Sequence, residues 1–414
     1  QPCFVAEVIW QMKQAGLDGL LVLGAGMHNP PMVYLTGGGH FSDAILIKKM
    51  GEEPVLCVNP MEREEAAKSG FKIYTLSEFK YFDLVKQFKG DKDQAEAQLL
   101  KLFFEKTGLV RGKVALLGFI DSSFYWPVFQ ILQKLMPDIQ LVGESENSVV
   151  SKARVTKDRS ELERIIKMGE VTTKVVGRVA DFLQTRPVKG EVLYLDGKPL
   201  TIADVKNRIN LWLAEEGAEN PEDTIFSIGR DAGIGHSCGN PTDVITLGKT
   251  IVFDIYPSEK GGGYFYDFTR TWCLGYAPEA AQTLYNQVRE VYDTVVSVLK
   301  SGTLCIEYQK MTCDLFEKMG HPTVQTNPST TDGYNHSLAH GLGLNVHEKP
   351  WFSTFADSND VLTPGMVFTI EPGLYYPEKG MGVRIEDTYY VDSDGSIKRC
   401  VDYPFDFVLP MKGN

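Results

Sequence analysis

Between His336 and Thr388 the chain concentrates residues that can hold metal and move protons. The stretch holds His340-Gly-Leu-Gly-Leu-Asn-Val-His347-Glu, then Ile370-Glu371-Pro-Gly-Leu-Tyr375, then Gly382-Val-Arg384-Ile-Glu386-Asp387-Thr388. An earlier stretch adds Val252-Phe-Asp254-Ile and Tyr266-Asp267-Phe-Thr-Arg270-Thr. Each acid lies in a short apolar run that reads as a buried strand, and a buried carboxylate needs a partner. Asp254, Asp267, Glu371 and Glu386 with His340 make an oxygen-rich set without thiolate, which suits Mn, Co, Fe or Zn. Two bridging carboxylates would hold two ions close together, lowering the pKa of a bridging water and polarising a substrate carbonyl. Taken singly, each acid also has a plain structural reading: Asp254 ends a strand, Asp267 has Arg270 nearby and Glu386 has Arg384. The His-Gly-x-Gly-x-x-x-His segment followed by two embedded acids favours the joint reading.

The elements that must position these residues are legible in part. Residues 4–16 have helical spacing and end at Gly16. Leu20–Leu23, Ala44–Ile47, Pro54–Val58 and Val114–Leu117 read as strands, and 96–104 and 124–135 as helices. Pro30-Pro31 ends the first strand, and Met32–Thr36 leads into Gly37-Gly38-Gly39. This alternation implies an α/β layer of roughly 150 residues. A polar, charged stretch at 151–160 marks the boundary, giving domains 1–152 and 153–414. Ser160-Glu-Leu-Glu163 reads as a capping box opening a long helix. Further helices are expected at 203–216, 279–300 and 308–319, stopped near Gly217, Gly302 and Gly320. Helices and antiparallel strands are segregated there, an α+β pattern. One internal echo stands out. Asp254, a glycine-rich turn and Asp267-Phe-Thr match Glu371, a second glycine-rich turn and Glu386-Asp-Thr. Two hairpins related by a pseudo-twofold would aim four carboxylates at one point.

Composition narrows the function classes. The 414 residues carry a net charge of −12 with no dense Lys/Arg block, which argues against nucleic acid as a partner. The seven cysteines, Cys3 among them, are scattered and form no CxxC, so neither a disulfide framework nor a thiolate zinc site is expected. A reducing cytoplasm is the expected compartment. No apolar run reaches membrane-spanning length. The chain opens on Gln1 rather than Met, which leaves a removed leader open. No GxSxG elbow, GxGxxG or GxxxxGK[ST] loop is present. Cys238 reads as a loop thiol, His321 as a helix-end residue, and Trp351 as either a pocket wall or a packed aromatic.

The motifs around His340, Glu371 and Glu386, with Leu362-Thr-Pro-Gly-Met-Val-Phe-Thr-Ile, resemble the signatures of the pita-bread metallopeptidases. That family includes Xaa-Pro aminopeptidase, prolidase, methionine aminopeptidase and creatinase. The resemblance runs from about residue 152 to 400. Asp18-Gly-Leu-Leu-Val and Val33-Tyr-Leu-Thr-Gly37 resemble the creatinase-type N-terminal domain of the proline-directed members. The resemblance implies an α+β pita-bread catalytic domain preceded by a smaller α/β creatinase-like N-terminal domain. It implies two divalent ions, manganese first, with cobalt, zinc or iron as alternatives. Asp254 would bind one ion alone, Asp267 and Glu386 would bridge both, and His340 and Glu371 would complete the coordination of the second ion. Glu371 would relay the proton, His347 would contact the scissile carbonyl or oxyanion, and His336 would be the pocket histidine. His236 matches the family's first active-site histidine, and Arg384 and Tyr375 would orient Glu386 and the metal water.

The implied activity is hydrolysis of the Xaa-Pro bond in short proline-containing peptides by a metal-bridging hydroxide, of aminopeptidase P or prolidase type. A homodimer is implied as well. Two rivals are a creatinase-like non-peptide amidinohydrolase, which works without metal, and a catalytically silent binding protein of the same fold. Retention of all five ligands disfavours both. The sequence departs from the family at the Asp254–Asp267 turn, which is longer, at Tyr256, where a glycine is common, at the Ser-Cys-Gly after His236, and at Tyr403-Pro-Phe-Asp-Phe.

Overall fold

The computed structural model describes residues 3–353 and 359–412, with side chains from Ala6 onward; Phe4, Val5 and Cys3 lie outside the described side chains. The chain divides into two compact units, Gln1–Arg154 with Gly261–Gly263, and Val155–Lys260 with Tyr264–Asn414.

The first unit is built on a six-stranded sheet. Its spatial order is Lys72–Thr75, Val55–Val58, Ala44–Lys49, Gly19–Gly24, Gly112–Leu117, Ile139–Val142. Gly19–Gly24 pairs antiparallel with Ala44–Lys49 and parallel with Gly112–Leu117. Leu21, Leu23, Ile45 and Ile47 alternate onto one face, where they join Leu99, Phe103 and Phe104 of helix Lys92–Thr107 and Val128 and Leu132 of helix Ser122–Leu135. The first strand ends at Gly24, well before the prolines, and Pro30 and Pro31 instead open a short helix, Pro30–Thr36. At the first helical positions the missing proline N–H has no intrahelical partner to lose. The two edge strands Lys72–Thr75 and Ile139–Val142 have no clear apolar alternation, and the sequence pattern does not announce them.

The second unit packs four long helices, Arg159–Gln184, Ile202–Glu215, Glu279–Val298 and Cys305–Lys318, with antiparallel strands. One sheet runs Thr224–Ile228, Thr250–Ile255, Phe268–Leu274, Val408–Leu409. The other runs Glu348–Trp351, His340–Gly341, Val367–Ile370, Asp387–Val391, Ile397–Arg399. A bridge between Thr269 and Glu386 joins the two sheets. The expected echo takes physical form here. Thr250–Ile255 pairs with Phe268–Leu274, and Val367–Ile370 pairs with Asp387–Val391. The second arm is more elaborate than its sequence pattern: a smaller hairpin, Gly373–Tyr376 with Met381–Arg384, is inserted between its two acids.

The long helix does not open on Ser160. Asp158 is the N-cap: its Oδ1 accepts from Glu161 N at 2.8 Å, and Glu161 Oε1 accepts from Asp158 N at 3.1 Å. The capping box therefore starts two residues earlier than Ser160-x-x-Glu163, because Glu161 also reaches Tyr264 OH and is drawn inward. Asp158→Ala should lower stability by about 1 kcal/mol, whereas Ser160→Ala on the exposed side should change it by less than about 0.5 kcal/mol. Urea unfolding of the two variants checks this; equal effects would contradict the cap assignment.

Candidate metal centre

The acids and His340 sit where strands end. Asp254 closes strand Thr250–Ile255, and Asp267 immediately precedes Phe268–Leu274. Glu371 follows Val367–Ile370, and Glu386 precedes Asp387–Val391. His340 opens the two-residue strand His340–Gly341, whose glycine is required: a Cβ at Gly341 would lie 2.0 Å from the Lys349 carbonyl oxygen.

The fold brings all five together. His340 Nε2 lies 3.2 Å from Glu371 Oε1, 3.3 Å from Asp267 Oδ2 and 4.0 Å from Glu386 Oε2. His340, Glu371 and Glu386 form one set whose ligand atoms lie within 4.8 Å of one another, and Asp254, Asp267 and Glu386 form another. His347 joins Asp267 and His340 in a third, its ring centroid 4.3 Å from that of His340.

The hydrogen bonding leaves one side of each ligand open. Asp254 Oδ2 accepts from Arg384 Nη2 at 2.8 Å and Nε at 3.2 Å, while Oδ1 is buried without a partner. Glu386 Oε1 accepts from Thr269 Oγ1 at 2.9 Å, while Oε2 is buried without a partner. Asp267 Oδ1 is likewise unsatisfied. His340 Nδ1 donates to the Gly341 carbonyl at 2.9 Å, which sets the tautomer and aims Nε2 inward, where it too makes no hydrogen bond. Native proteins rarely leave so many polar atoms unpaired in one place. The donor set is hard, convergent and anionic, and it fits divalent cations.

Without a cation the electrostatics are severe. Burial, and then the neighbouring acids, push the Asp267 and Glu386 carboxyls well above the usual carboxylate range. Burial also raises Asp254, against the opposing Arg384 guanidinium. Burial works against the His340 cation, but contact with Glu371 and the charge of Glu386 outweigh it and hold the imidazole at about 9. Glu371 is the mirror image: burial raises it, and His340 brings it down to about 2.

Around this cage the remaining predicted residues fall into two groups. Arg384, Tyr375 and His336 form a chain. Arg384 Nη1 donates to Tyr375 OH at 2.7 Å and to the Gly235 carbonyl at 2.9 Å. His336 Nδ1 lies 2.7 Å from the Ser337 carbonyl and so carries the proton, which makes Nε2 the acceptor of the Tyr375 hydroxyl at 2.7 Å. Burial lowers His336 to about 4 and raises Tyr375 to about 12. The expected partner of Arg384 was Glu386; the one found is Asp254. The chain leaves the small hairpin at Ile385 to pair Glu386 with Thr269, so Arg384 and Glu386 no longer share a strand. Arg270 likewise pairs with Asp387 at 3.0 Å rather than with Asp267.

His236 and His336 line an open cleft of about 570 Å³, together with Arg230, Asn335 and Glu378. His347 presents an exposed edge; desolvation by its surroundings, then the neighbouring His340, lower it to about 4. His321 does close a helix end: its N–H donates to the Phe316 carbonyl at 3.0 Å beyond Cys305–Lys318, while its ring bridges Gln287 Oε1 at 2.7 Å and Tyr376 OH. Cys238 is an exposed free thiol. Sequence reasoning passed over Thr269 and Thr388, although both stand two residues after a ligand acid, and that repeat was the available signal. Thr388 Oγ1 donates to the Asp267 carbonyl at 2.8 Å, returning the tie that Thr269 makes to Glu386.

Residues 163–393 match the family model described as metallopeptidase family M24, and the chain belongs to that family. It is a metal-dependent peptidase by class, with a pita-bread α+β domain preceded by a smaller creatinase-like α/β domain. A protein of Pyrococcus horikoshii named Xaa-Pro dipeptidase is 27% identical over 398 residues, 95% of each chain. The structure of the prolidase from Pyrococcus horikoshii OT3 superposes with a TM-score of 0.72 at 23% identity, covering 98% of this chain and 99% of that one. X-Pro aminopeptidase from Thermotoga maritima gives 0.74 at 20% identity, covering 97% and 99%. Among the described residues no helix is long and apolar enough to cross a membrane.

A pH dependence follows. Carboxyls with raised pKa values bind protons more tightly in the folded chain than in the unfolded one, so metal-free stability falls as pH rises. His340 has the same sign: its contribution is complete below its ordinary 6.5 and is lost as pH climbs through about 9. Glu371, depressed, gains its full contribution at lower pH and is constant across this window. The melting temperature of the metal-free chain should therefore drop from about pH 6 to about pH 9, and saturating Mn²⁺ should raise it more at the upper end. Equal metal-induced shifts at both ends, measured by calorimetry, would contradict the account.

Proposed function

We propose that this chain hydrolyses the Xaa-Pro bond of short peptides with two divalent ions, manganese first among them. The observation that carries the reading is the sharing of Glu386 between two ligand sets, Asp254/Asp267/Glu386 and His340/Glu371/Glu386. Such overlap supports two adjacent cation positions: Asp254 and Asp267 would hold one, His340 and Glu371 the other, and Glu386 would serve both, with Asp267, 3.3 Å from His340, able to serve both as well. The names of the Pyrococcus and Thermotoga relatives support proline-directed specificity. The boundary near residue 152, a cytoplasmic location and a homodimer belong to the same reading.

Bound ions supply a Lewis acid for the scissile carbonyl and lower the pKa of water towards neutrality. Glu371, the most exposed acid of the set at 16%, is ionised and takes the proton of the attacking water, then returns it to the leaving amine. His347 is neutral at pH 7 and donates an N–H to the oxyanion. His336 has both nitrogens engaged, so it offers a substrate its ring, and holds Tyr375 in place. Tyr375 and Arg384 in turn orient Asp254. His236 faces the substrate from another part of the cleft lining.

The test is a panel of Xaa-Pro, Xaa-Pro-Yaa and Xaa-Ala peptides under added Mn²⁺, Co²⁺, Zn²⁺ or Fe²⁺. Cleavage confined to the proline peptides and dependent on metal is expected; no cleavage of any proline peptide with any metal would sink the proposal. Glu371→Gln should lower kcat by about 10²–10⁴-fold, and turnover at the unaltered rate would remove Glu371 from the mechanism.

A further inference from the structure

Arg270 is buried at 1% exposure and lies in strand Phe268–Leu274, three residues after Asp267. A guanidinium has five N–H donors, and here each is used. Nε donates to the Pro404 carbonyl at 2.9 Å. Nη1 donates to the carbonyls of Thr269 at 2.9 Å and Glu386 at 3.1 Å. Nη2 donates to Asp387 Oδ1 at 3.0 Å and to the Tyr403 carbonyl at 3.1 Å. The guanidinium carbon lies over the rings of Phe268 and Phe405, at 4.4 and 4.3 Å from their centroids.

The segment Tyr403–Leu409 is held independently. Tyr285 OH donates to the Phe405 carbonyl, the Tyr285 ring stacks on Phe407 at 4.3 Å, and Val408–Leu409 extends the sheet beside Cys273 and Leu274. Arg270 thus joins three pieces of chain: the strand after Asp267, the Glu386 carbonyl with the Asp387 side chain, and the Tyr403–Leu409 segment.

We infer that Arg270, backed by Tyr403–Leu409, is the positioning residue that sets the spacing between Asp267 and Glu386, so that metal affinity depends on a segment that contributes no ligand. The inference rests on the metal-centre reading above. A lysine cannot replace the fork, since it has one nitrogen where three are bonded. Partners that orient metal ligands from outside typically matter by about 10–100-fold in affinity.

The experiment is calorimetric titration of the metal-free full chain with Mn²⁺, below the melting temperature of every variant. Arg270→Lys and Phe405→Ala should each weaken binding, Arg270→Lys by about 10–100-fold. Val288→Ala, which opens a cavity in the same core without removing a hydrogen-bond or ring partner of Arg270, should lower the melting temperature and leave affinity unchanged. Affinity in a folded Arg270→Lys chain equal to that of the unaltered chain overturns the inference. Should that variant not fold, unchanged affinity in Phe405→Ala overturns it. Loss of affinity in Val288→Ala that scales with lost stability also overturns it. Failure of the unaltered chain to bind Mn²⁺ would instead remove the metal-centre reading itself.

Discussion

The repulsion among four carboxylates brought to one point inside the protein governs much of this structure. Like charges at such separations cannot all remain ionised in a water-poor interior without compensation. The chain supplies two positive groups of its own, Arg384 against Asp254 and His340 against Glu371. His340 also approaches the carboxylates of Asp267 and Glu386, at 3.3 and 4.0 Å, but two positive groups against four acids leave Asp254 Oδ1 and Asp267 Oδ1 without partners, and that balance is left to cations. A site arranged this way is unfavourable as a bare protein and favourable as a complex, which ties folding free energy to metal.

Holding such a set together needs fixed geometry that does not use up the ligand atoms. The two acid-bearing strand pairs solve this reciprocally. Thr269, two residues after Asp267, binds the carboxylate of Glu386; Thr388, two residues after Glu386, binds the main chain of Asp267. The symmetry is broken at the side chain, since only Glu386 has its carboxylate restrained by threonine. Asp254 is restrained by Arg384 instead.

Much of the site was legible because its chemistry is local in sequence. An acid at the end of an apolar run, and a histidine beside glycines, are each visible in a few residues. The helices of the second unit were legible for the same reason, through apolar spacing and terminal glycines. Pairings over long separations were not. Arg384 stands two residues from Glu386 yet serves Asp254, 130 residues away, because the strand changes sheets at Ile385. The true N-cap Asp158 was passed over for Ser160 because both match the same short pattern, and only Tyr264, about a hundred residues on, separates them. His321 was legible as a helix end, but the partners of its ring, Gln287 and Tyr376, were not, because tertiary packing brings them to it.

The small hairpin inserted between Glu371 and Glu386 has a consequence for how such an enzyme diversifies. Its two strands carry Arg384 at the base and Tyr375 further along, while its turn places Pro377 and Glu378 on the lining of the cleft. Paired backbone separates that turn from the ligands at both ends. Replacement of residues at the turn alters what the cleft meets first and leaves the charge balance of the cage intact. The insertion therefore keeps the surface that a peptide would meet apart from the residues that hold the buried charge.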